Sequence, residues 1–466
     1  MLSNKNSNVK IVNLAIEILK IMYIIFYMIK NVLLISPDFP QTYYQFAKAF
    51  RNNGCNVLAI GSTPYDQLHP ELKANLTEYC QSWEMTNIDK MCEIVGYLQS
   101  KYGHIDFLES NNEFWLRSDS IIRERFGIDS GIYPHQLDDY QKKSSMKRAF
   151  IEAGAHVAPF IIVRDFESLK AFADKYGYPV FAKPDIGVGA AGNYKIDNFE
   201  ELERFYREKP YIDYICEPFV KGHVISFDGI VNGDSEVVIA ANEVFPPAIY
   251  DFKNTMADMF YYVNNKVPTK LMNLGKKIMK ALGLKNRFFH TELFVAENSV
   301  KGHFKEGDIV ALEVNIRCPG GFTPDLLNFG LSTNLYQMFA DVVCFGKSEI
   351  TEGKRYYAAC AARRYGKEYF FTEEDILRTY KNEICNHGVY PDVLSDLMGN
   401  IFYMAKYENE EDVHIFKEYV GRLANVSYQT KEDNNHLYGE DKRIMAEKNA
   451  DKRKEDNVCD KNIDGA

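Results

Sequence analysis

Pro179-Val180-Phe181-Ala182-Lys183-Pro184, running straight into Asp185-Ile186-Gly187-Val188-Gly189-Ala190-Ala191-Gly192, decides how this chain is read. The first half has the composition of a strand and delivers a lysine at its end. The second half is nearly free of bulky side chains, so its backbone N–H groups can approach phosphate oxygens closely. Two readings fit the loop taken alone: a flap over a nucleotide triphosphate, or a strand and hairpin with no ligand, since isolated glycine patterns recur without function. The loop is not a Walker A loop, because no Gly-Lys-Ser/Thr ending is present and the lysine precedes the glycines. It is not a dinucleotide fingerprint either, which needs its glycines to open a helix. Asn193-Tyr194-Lys195-Ile196 instead predicts a returning strand.

A second constellation lies downstream. His290-Thr291-Glu292-Leu293-Phe294 and Ala311-Leu312-Glu313-Val314-Asn315-Ile316-Arg317 predict two antiparallel strands joined by the polar stretch 298–308. Residues two apart share a strand face, so Glu313, Asn315 and Arg317 point one way, with Glu292 placed opposite them. Two carboxylates and an amide oxygen suit magnesium, which takes a few carboxylates plus phosphates. The competing reading is a strand whose polar face is only solvated. Cys318-Pro319-Gly320-Gly321-Phe322 predicts a tight turn that holds Arg317 at the sheet rim. An arginine fixed there beside carboxylates favours an anionic ligand.

The order of these motifs resembles that of the ATP-grasp superfamily of carboxylate–amine ligases, over roughly residues 30 to 425. The "His-x-Glu" and "Glu-x-Asn-x-Arg" signatures with a glycine turn are most similar to the L-amino-acid ligase and carnosine-synthase-like branch. The fold class implied is α/β and α+β: an ATP-grasp fold with an N-terminal Rossmann-like domain and a C-terminal α/β subdomain. The resemblance makes ATP and Mg2+ the cofactors. Lys143 stands in the position of the first nucleotide lysine, ten residues before Ala153-Gly154, and Lys183 in that of the second. Gly187, Gly189 and Gly192 match the phosphate flap. Glu217, with Phe219 and Val220, matches the hinge where backbone groups read adenine. Glu292, Glu313 and Asn315 match the metal ligands. Arg317 matches the residue that holds the carboxylate and stabilises the acyl phosphate, and with Lys183 it makes up the catalytic pair. Two positions depart from the pattern. Val224 stands where many relatives carry a ribose-binding glutamate, with Asp228 the nearest polar substitute on that strand. Lys142 stands where an aspartate is usual, which leaves the choice between Lys142 and Lys143 open.

The implied reaction is ATP-dependent amide or peptide bond formation through an acyl phosphate, with release of ADP and phosphate. Small carboxylates and amines, amino acids among them, are the expected partners, and a homodimer is expected from relatives. Two alternatives compete: an ATP-grasp carboxylase using bicarbonate, and an ATP-binding protein without catalysis.

The alternation of strand and helix patterns from residue 31 to 108 predicts a parallel sheet with crossover helices. The expected division is a domain over 28–135, a small lobe over 136–217, a large lobe over 218–350, a C-terminal subdomain over 351–430 and a disordered charged tail over 431–466. Residues 11–29 are apolar, but Glu17 and Lys20 interrupt them and the uncharged run is too short to span a bilayer. Met28 is therefore read as the natural start, with 1–27 a non-native extension or an interfacial anchor. Nine scattered cysteines with no paired spacing predict reduced thiols and a cytoplasmic location. Cys216 and Cys318 read as packing residues. A net charge of -10 disfavours non-specific nucleic-acid binding. His290 has two readings, site residue or satisfied strand histidine. Arg363-Arg364 likewise reads as a substrate clamp or a solvated edge. Tyr43, Tyr44, Glu109 and Glu113 are candidate pocket walls.

Overall fold

The computed structural model describes residues 30–187, 192–245 and 257–424. Gly189, the expected extension over 1–27 and the expected tail over 431–466 lie outside them. The described residues form two compact units, one within 1–250 and 266–355 and the other within 251–265 and 356–466.

The first unit opens with strands β1 (Asn31–Ile35), β2 (Asn56–Gly61), β3 (Glu78–Gln81) and β4 (Phe107–Glu109), in spatial order β3-β2-β1-β4. All three pairings are parallel, as the alternating pattern predicts. Leu33, Ile35, Leu58 and Ile60 are fully or almost fully buried and pack against Met91, Val95 and Leu98 of the Ile88–Tyr102 helix. That helix starts where Asn87 Oδ1 accepts the N–H groups of Asp89 and Lys90, as an N-cap should. β3 is not legible in the sequence, being short and only half-buried.

After β5 (His156–Val157) comes a small antiparallel sheet of β6 (Ile161–Ile162), β7 (Val180–Pro184), β8 (Tyr194–Ile196) and β9 (Tyr214–Pro218), in order β6-β9-β7-β8. The helices Phe166–Tyr176 and Phe199–Glu208 bury Leu169, Phe172, Leu202 and Phe205 against it. β8 returns antiparallel to β7, with Ala182 opposite Tyr194, as the residues after the glycine loop predict. Gly192 has φ +74°, a conformation that costs glycine nothing.

β10 (Gly222–Val231), β11 (Val237–Ala241), β12 (Glu243–Phe245), β14 (Arg287–Ala296) and β15 (Ile309–Asn315) form the third sheet of this unit. β10 pairs with β11, β12 and β14; β14 pairs with β15; and β15 pairs parallel with β5. One sheet face buries Ile225, Phe227, Phe289, Leu293, Val314 and Ile316 with residues of the Lys143–Glu152 and Thr269–Leu282 helices. The run over 237–245 is two strands rather than one. Asn242 breaks it, its side-chain amide donating to the carbonyls of Ser226 and Glu243.

The helices Thr323–Leu331 and Leu335–Phe345 are not legible as such in the sequence, because most of their residues are buried and the polar stripe is narrow, Gln337 and Asp341 in the second. Their burial explains this. Phe339 packs in ring contact with Phe46, Phe50, Phe107 and Phe288.

The second unit holds β13 (Phe260–Val263), β16 (Tyr357–Arg363), β17 (Ile384–Val389) and β18 (Ile401–Tyr407), paired antiparallel in the order β17-β18-β16-β13. The Glu410–Gly421 helix buries Val413, Phe416 and Tyr419. Arg363 and Arg364 are buried here, neither a clamp nor a solvated edge. Arg363 donates to the carbonyls of Val420 and Phe371, and Arg364 to those of Ala257, Ser395, Asp396 and Leu397.

Candidate active site

β7 and β9 place two opposite charges side by side. Lys183 Nζ lies 2.9 Å from Glu217 Oε1, and both side chains are almost wholly buried. A third buried group, Lys147 Nζ, lies 3.4 Å from the same oxygen. Burial works against the Glu217 charge, but the two ammonium groups outweigh it and hold the carboxyl below its usual range. Burial pushes Lys147 down despite Glu217. Two lysines share one carboxylate here, which leaves a positive excess at the base of the glycine loop. Glu217 therefore meets Lys183 through its side chain, whereas the expectation concerned the backbone of its segment. Sequence reasoning misses Lys147, although it lies one helical turn beyond Lys143, on the same face.

Lys143 opens its helix. Its Nζ donates to the Gly187 carbonyl at 2.8 Å and lies 3.2 Å from Glu313 Oε2. Lys142 instead pairs with Asp138 at 2.6 Å on a more exposed face. Of the two, Lys143 is the one that faces the carboxylate strands. The helix start is tied to the loop: Asp185 Oδ1 accepts the Ser144 N–H, and its Oδ2 accepts the Ser144 hydroxyl.

β14 and β15 set Glu292 directly opposite Glu313, and His290 opposite Asn315. A β-bulge produces this alignment. The register passes from Glu292↔Glu313 to Leu293↔Ala311, which leaves Leu312 unpaired. The extra residue shifts the phase of the strand, so Ala311 and Val314 both join the core while Glu313 and Asn315 keep the opposite face. Burial opposes the Glu292 charge, yet His290, with Arg317 and Lys143, holds it below the usual carboxylate range. His290 Nε2 lies 3.4 Å from Glu292 Oε1, and its Nδ1 lies 2.5 Å from Asp228 Oδ1. Burial disfavours the imidazolium, but Asp228 and Glu292 raise its pKa well above the ordinary value. Ser226 and Asp228 continue this face on β10, opposite Glu292 and His290. Val224, two residues further back, is buried opposite Phe294, so the departure from the ribose-binding pattern is an apolar contact.

Arg317 stands just past β15. Its Nη1 donates to the Cys318 carbonyl at 2.8 Å, the rim position that the turn predicts. Burial raises the Glu113 carboxyl, and Arg317 favours its charge without overcoming that effect. Glu109, expected as a wall residue, is instead a buried ion-pair centre: Arg287 Nη2 lies 2.5 Å and Arg123 Nη2 3.4 Å from its Oε2. Arg287 Nε donates to the Ile316 carbonyl and so anchors the backbone that carries Arg317. Tyr43 donates to the Asn111 carbonyl and contacts Cys318 Sγ, and Tyr44 stacks on His69. Burial pushes the Cys216 and Cys318 thiols up to about 12, which suits packing rather than nucleophilic roles.

One crystal structure, an L-amino acid ligase from Bacillus licheniformis, superposes with a TM-score of 0.62 at 14% identity, covering 84% of this chain and 97% of that one. The chain has the ATP-grasp fold. A second ATP-grasp structure, the biotin carboxylase domain of Hydrogenobacter thermophilus 2-oxoglutarate carboxylase with MgADP, ADP and bicarbonate, superposes at TM-score 0.62 and 15% identity, covering 84% and 89%. In sequence the chain is 26% identical over 285 residues to an alanine–anticapsin ligase of Bacillus subtilis. That match covers 54% of the chain and 58% of the ligase, so the chain spans little more than half of that relative. No family model matches the chain.

Proposed function

We propose that this ATP-grasp protein is an ATP-dependent carboxylate–amine ligase that forms an amide or peptide bond through an acyl phosphate. The observation that carries the reading is the convergence of Lys183, Lys143, Glu292, Glu313, Asn315 and Arg317 around one sheet face and one glycine loop. The expected domain division, with a small lobe over 136–217 and a large lobe over 218–350, gives each lobe one part of the site.

In this reading Lys183 and Lys143 meet nucleotide phosphates, and Gly187 and Gly192 border the flap over them. The backbone around Glu217, Phe219 and Val220 lies against the adenine. Glu292, Glu313 and Asn315 offer two carboxylates and an amide oxygen on one face, a donor set that fits Mg2+. When bound, the metal neutralises phosphate charge. The chain's own contribution is position and charge. Lys183, already desolvated and held by Glu217, needs no reorganisation to meet an anion. Arg317, held at the rim by Cys318 and beside Arg287-anchored backbone, can receive a carboxylate and then the charge of its acyl phosphate. The amine attacks the acyl carbon and phosphate leaves, and no enzyme nucleophile is needed. Reduced thiols support a cytoplasmic location, and among the described residues no helix is long and apolar enough to cross a membrane.

The test is magnesium-dependent ADP and phosphate release with pooled amino acids, other small carboxylates and bicarbonate in turn. Release that requires a carboxylate together with an amine is expected. Release with bicarbonate alone would replace the ligase reading by carboxylation.

A further inference from the structure

Behind Glu292, strands β10, β12 and β14 bring together three buried groups that the proposed nucleotide and magnesium chemistry does not use. Asp228 and Glu243 are fully buried, and His290 is 8% exposed. One donor atom from each lies within 4.8 Å of those of the other two. His290 and Asp228 are joined through Nδ1 and Oδ1. Glu243 differs: among the described residues, neither of its carboxylate oxygens has a hydrogen-bond partner. The Ser226 hydroxyl donates instead to Asp228 Oδ2 and accepts the Glu243 backbone N–H.

This arrangement is costly as it stands. A buried carboxyl without a hydrogen-bond partner loses its hydration and gains nothing in return. Burial with Asp228 beside it pushes Glu243 well above the usual carboxylate range, so it can hold its charge there only beside a cation. Glu292 adds a third acidic group at 3.4 Å from His290 Nε2, so three carboxylates face one imidazole. The cost disappears if a cation sits among them. The strands are paired residue to residue, Asp228 opposite His290 and Val244 opposite Ile225, so the donors are preset on a rigid sheet. His290, the one member with any exposure, opens the cluster toward the Glu292 side.

The donor chemistry selects the ion. Glu292, Glu313 and Asn315 offer only oxygen, as Mg2+ prefers. Two carboxylates with an imidazole nitrogen suit a first-row divalent ion that accepts both, of which Mn2+ is the one least drawn to thiols. We propose that Asp228, Glu243 and His290 form a second divalent-metal site, preferring a Mn2+-class ion to Mg2+ and separate from the oxygen-only site at Glu292, Glu313 and Asn315. This inference does not rest on the ligase reading, because its donors and its test involve no turnover.

The experiment uses the full chain, stripped of metal with a chelator and dialysed against Mn2+ in the presence of excess Mg2+, with bound metal measured by mass spectrometry. One Mn2+ per chain should survive Mg2+ competition in the wild type and in Glu313→Gln. Its affinity should fall at least tenfold in Glu243→Gln and in Asp228→Asn. Mn2+ should also raise the melting temperature of the wild type but not of Glu243→Gln. Burial and the neighbouring Asp228 push the Glu243 carboxyl well above the usual carboxylate range, so Glu243→Gln imitates its neutral form and should fold without metal. Mn2+ fully displaced by Mg2+ in the wild type, or held equally well by Glu243→Gln, would overturn the proposal. Loss of Mn2+ in Glu313→Gln with retention in Glu243→Gln would assign the ion to the oxygen-only site and overturn it as well.

Discussion

Lys183 and Glu217 sit 2.9 Å apart on neighbouring strands of the small sheet, both buried, with Lys147 reaching the same carboxylate oxygen. One carboxylate thus balances two lysines, and the remaining positive charge lies where the glycine loop begins. Removing Lys183 leaves Glu217 paired with Lys147, so the fold should persist. Lys183→Ala is expected to lower substrate-dependent ADP formation by ~100-fold or more, in the range found when a preorganised charge-stabilising group is lost, with an unchanged circular dichroism spectrum. Full retention of ADP formation would refute the phosphate role.

Glu217→Gln tests the same cluster from the other side. It leaves two buried ammonium groups without a counter-charge, which costs about 3–5 kcal/mol when a buried pair is broken. Denaturant unfolding should show a loss of that order, partly recovered by adding ATP, whose phosphates supply the missing negative charge. A variant as stable as the wild type without nucleotide would contradict this account.

Glu313→Ala should abolish magnesium-dependent ADP formation while keeping the fold, since Glu313 is only partly buried and is tied to Lys143 by charge rather than by core packing. Arg317→Ala should impair the response to the carboxylate substrate more than ATP affinity. Equal loss of both, measured by isothermal titration with ATP alone and by steady-state kinetics, would argue against its acyl-phosphate role.

Asp119 gives a stability signature that depends on pH. It is fully buried, burial raises its pKa to about 7, and its Oδ1 has no hydrogen-bond partner among the described residues. The folded state therefore binds a proton that the unfolded state releases near pH 4, and this contribution is present at low pH. It is lost as pH rises from about 4 to about 7, by up to roughly 4 kcal/mol at ~1.4 kcal/mol per pKa unit. Asp119→Asn imitates the protonated form. Its stability relative to the wild type should increase from pH 4 to about pH 7 and level off above that, read by urea unfolding. A pH-independent difference would show that Asp119 does not titrate in this range.

Gly275 is the close-approach point between the Thr269–Leu282 helix and β10. A Cβ there would lie 2.2 Å from Phe227 Cε1, on the core side of the strand that carries Ser226 and Asp228. Gly275→Ala is expected to cost about 1–3 kcal/mol through overpacking, despite alanine's better helix propensity. A raised melting temperature would contradict that packing.

Much of this protein is legible in its sequence. The parallel first sheet follows from alternating strand and helix patterns. The β7–β8 hairpin follows from apolar runs on either side of glycines, and the opposed placement of Glu292 and Glu313 from two strands of complementary composition. These are local signals, fixed by side-chain period and turn chemistry. The helices over 323–345 leave only a weak signal, because burial on most sides narrows the polar stripe that marks a helix.

What only the tertiary structure decided is which charges meet. Simple alternation puts Ala311 and Glu313 on one face; the bulge at Leu312 separates them, and a bulge depends on the partner strand. Lys147, Glu217 and Lys183 converge from a helix and two strands, as do Asp228, Glu243 and His290 from three strands. Sequence spacing carries no trace of either cluster. Residue types and their periods determine elements and faces, whereas the sharing of a buried carboxylate between two lysines, or the stranding of one without a partner, exists only once distant elements pack and exclude water.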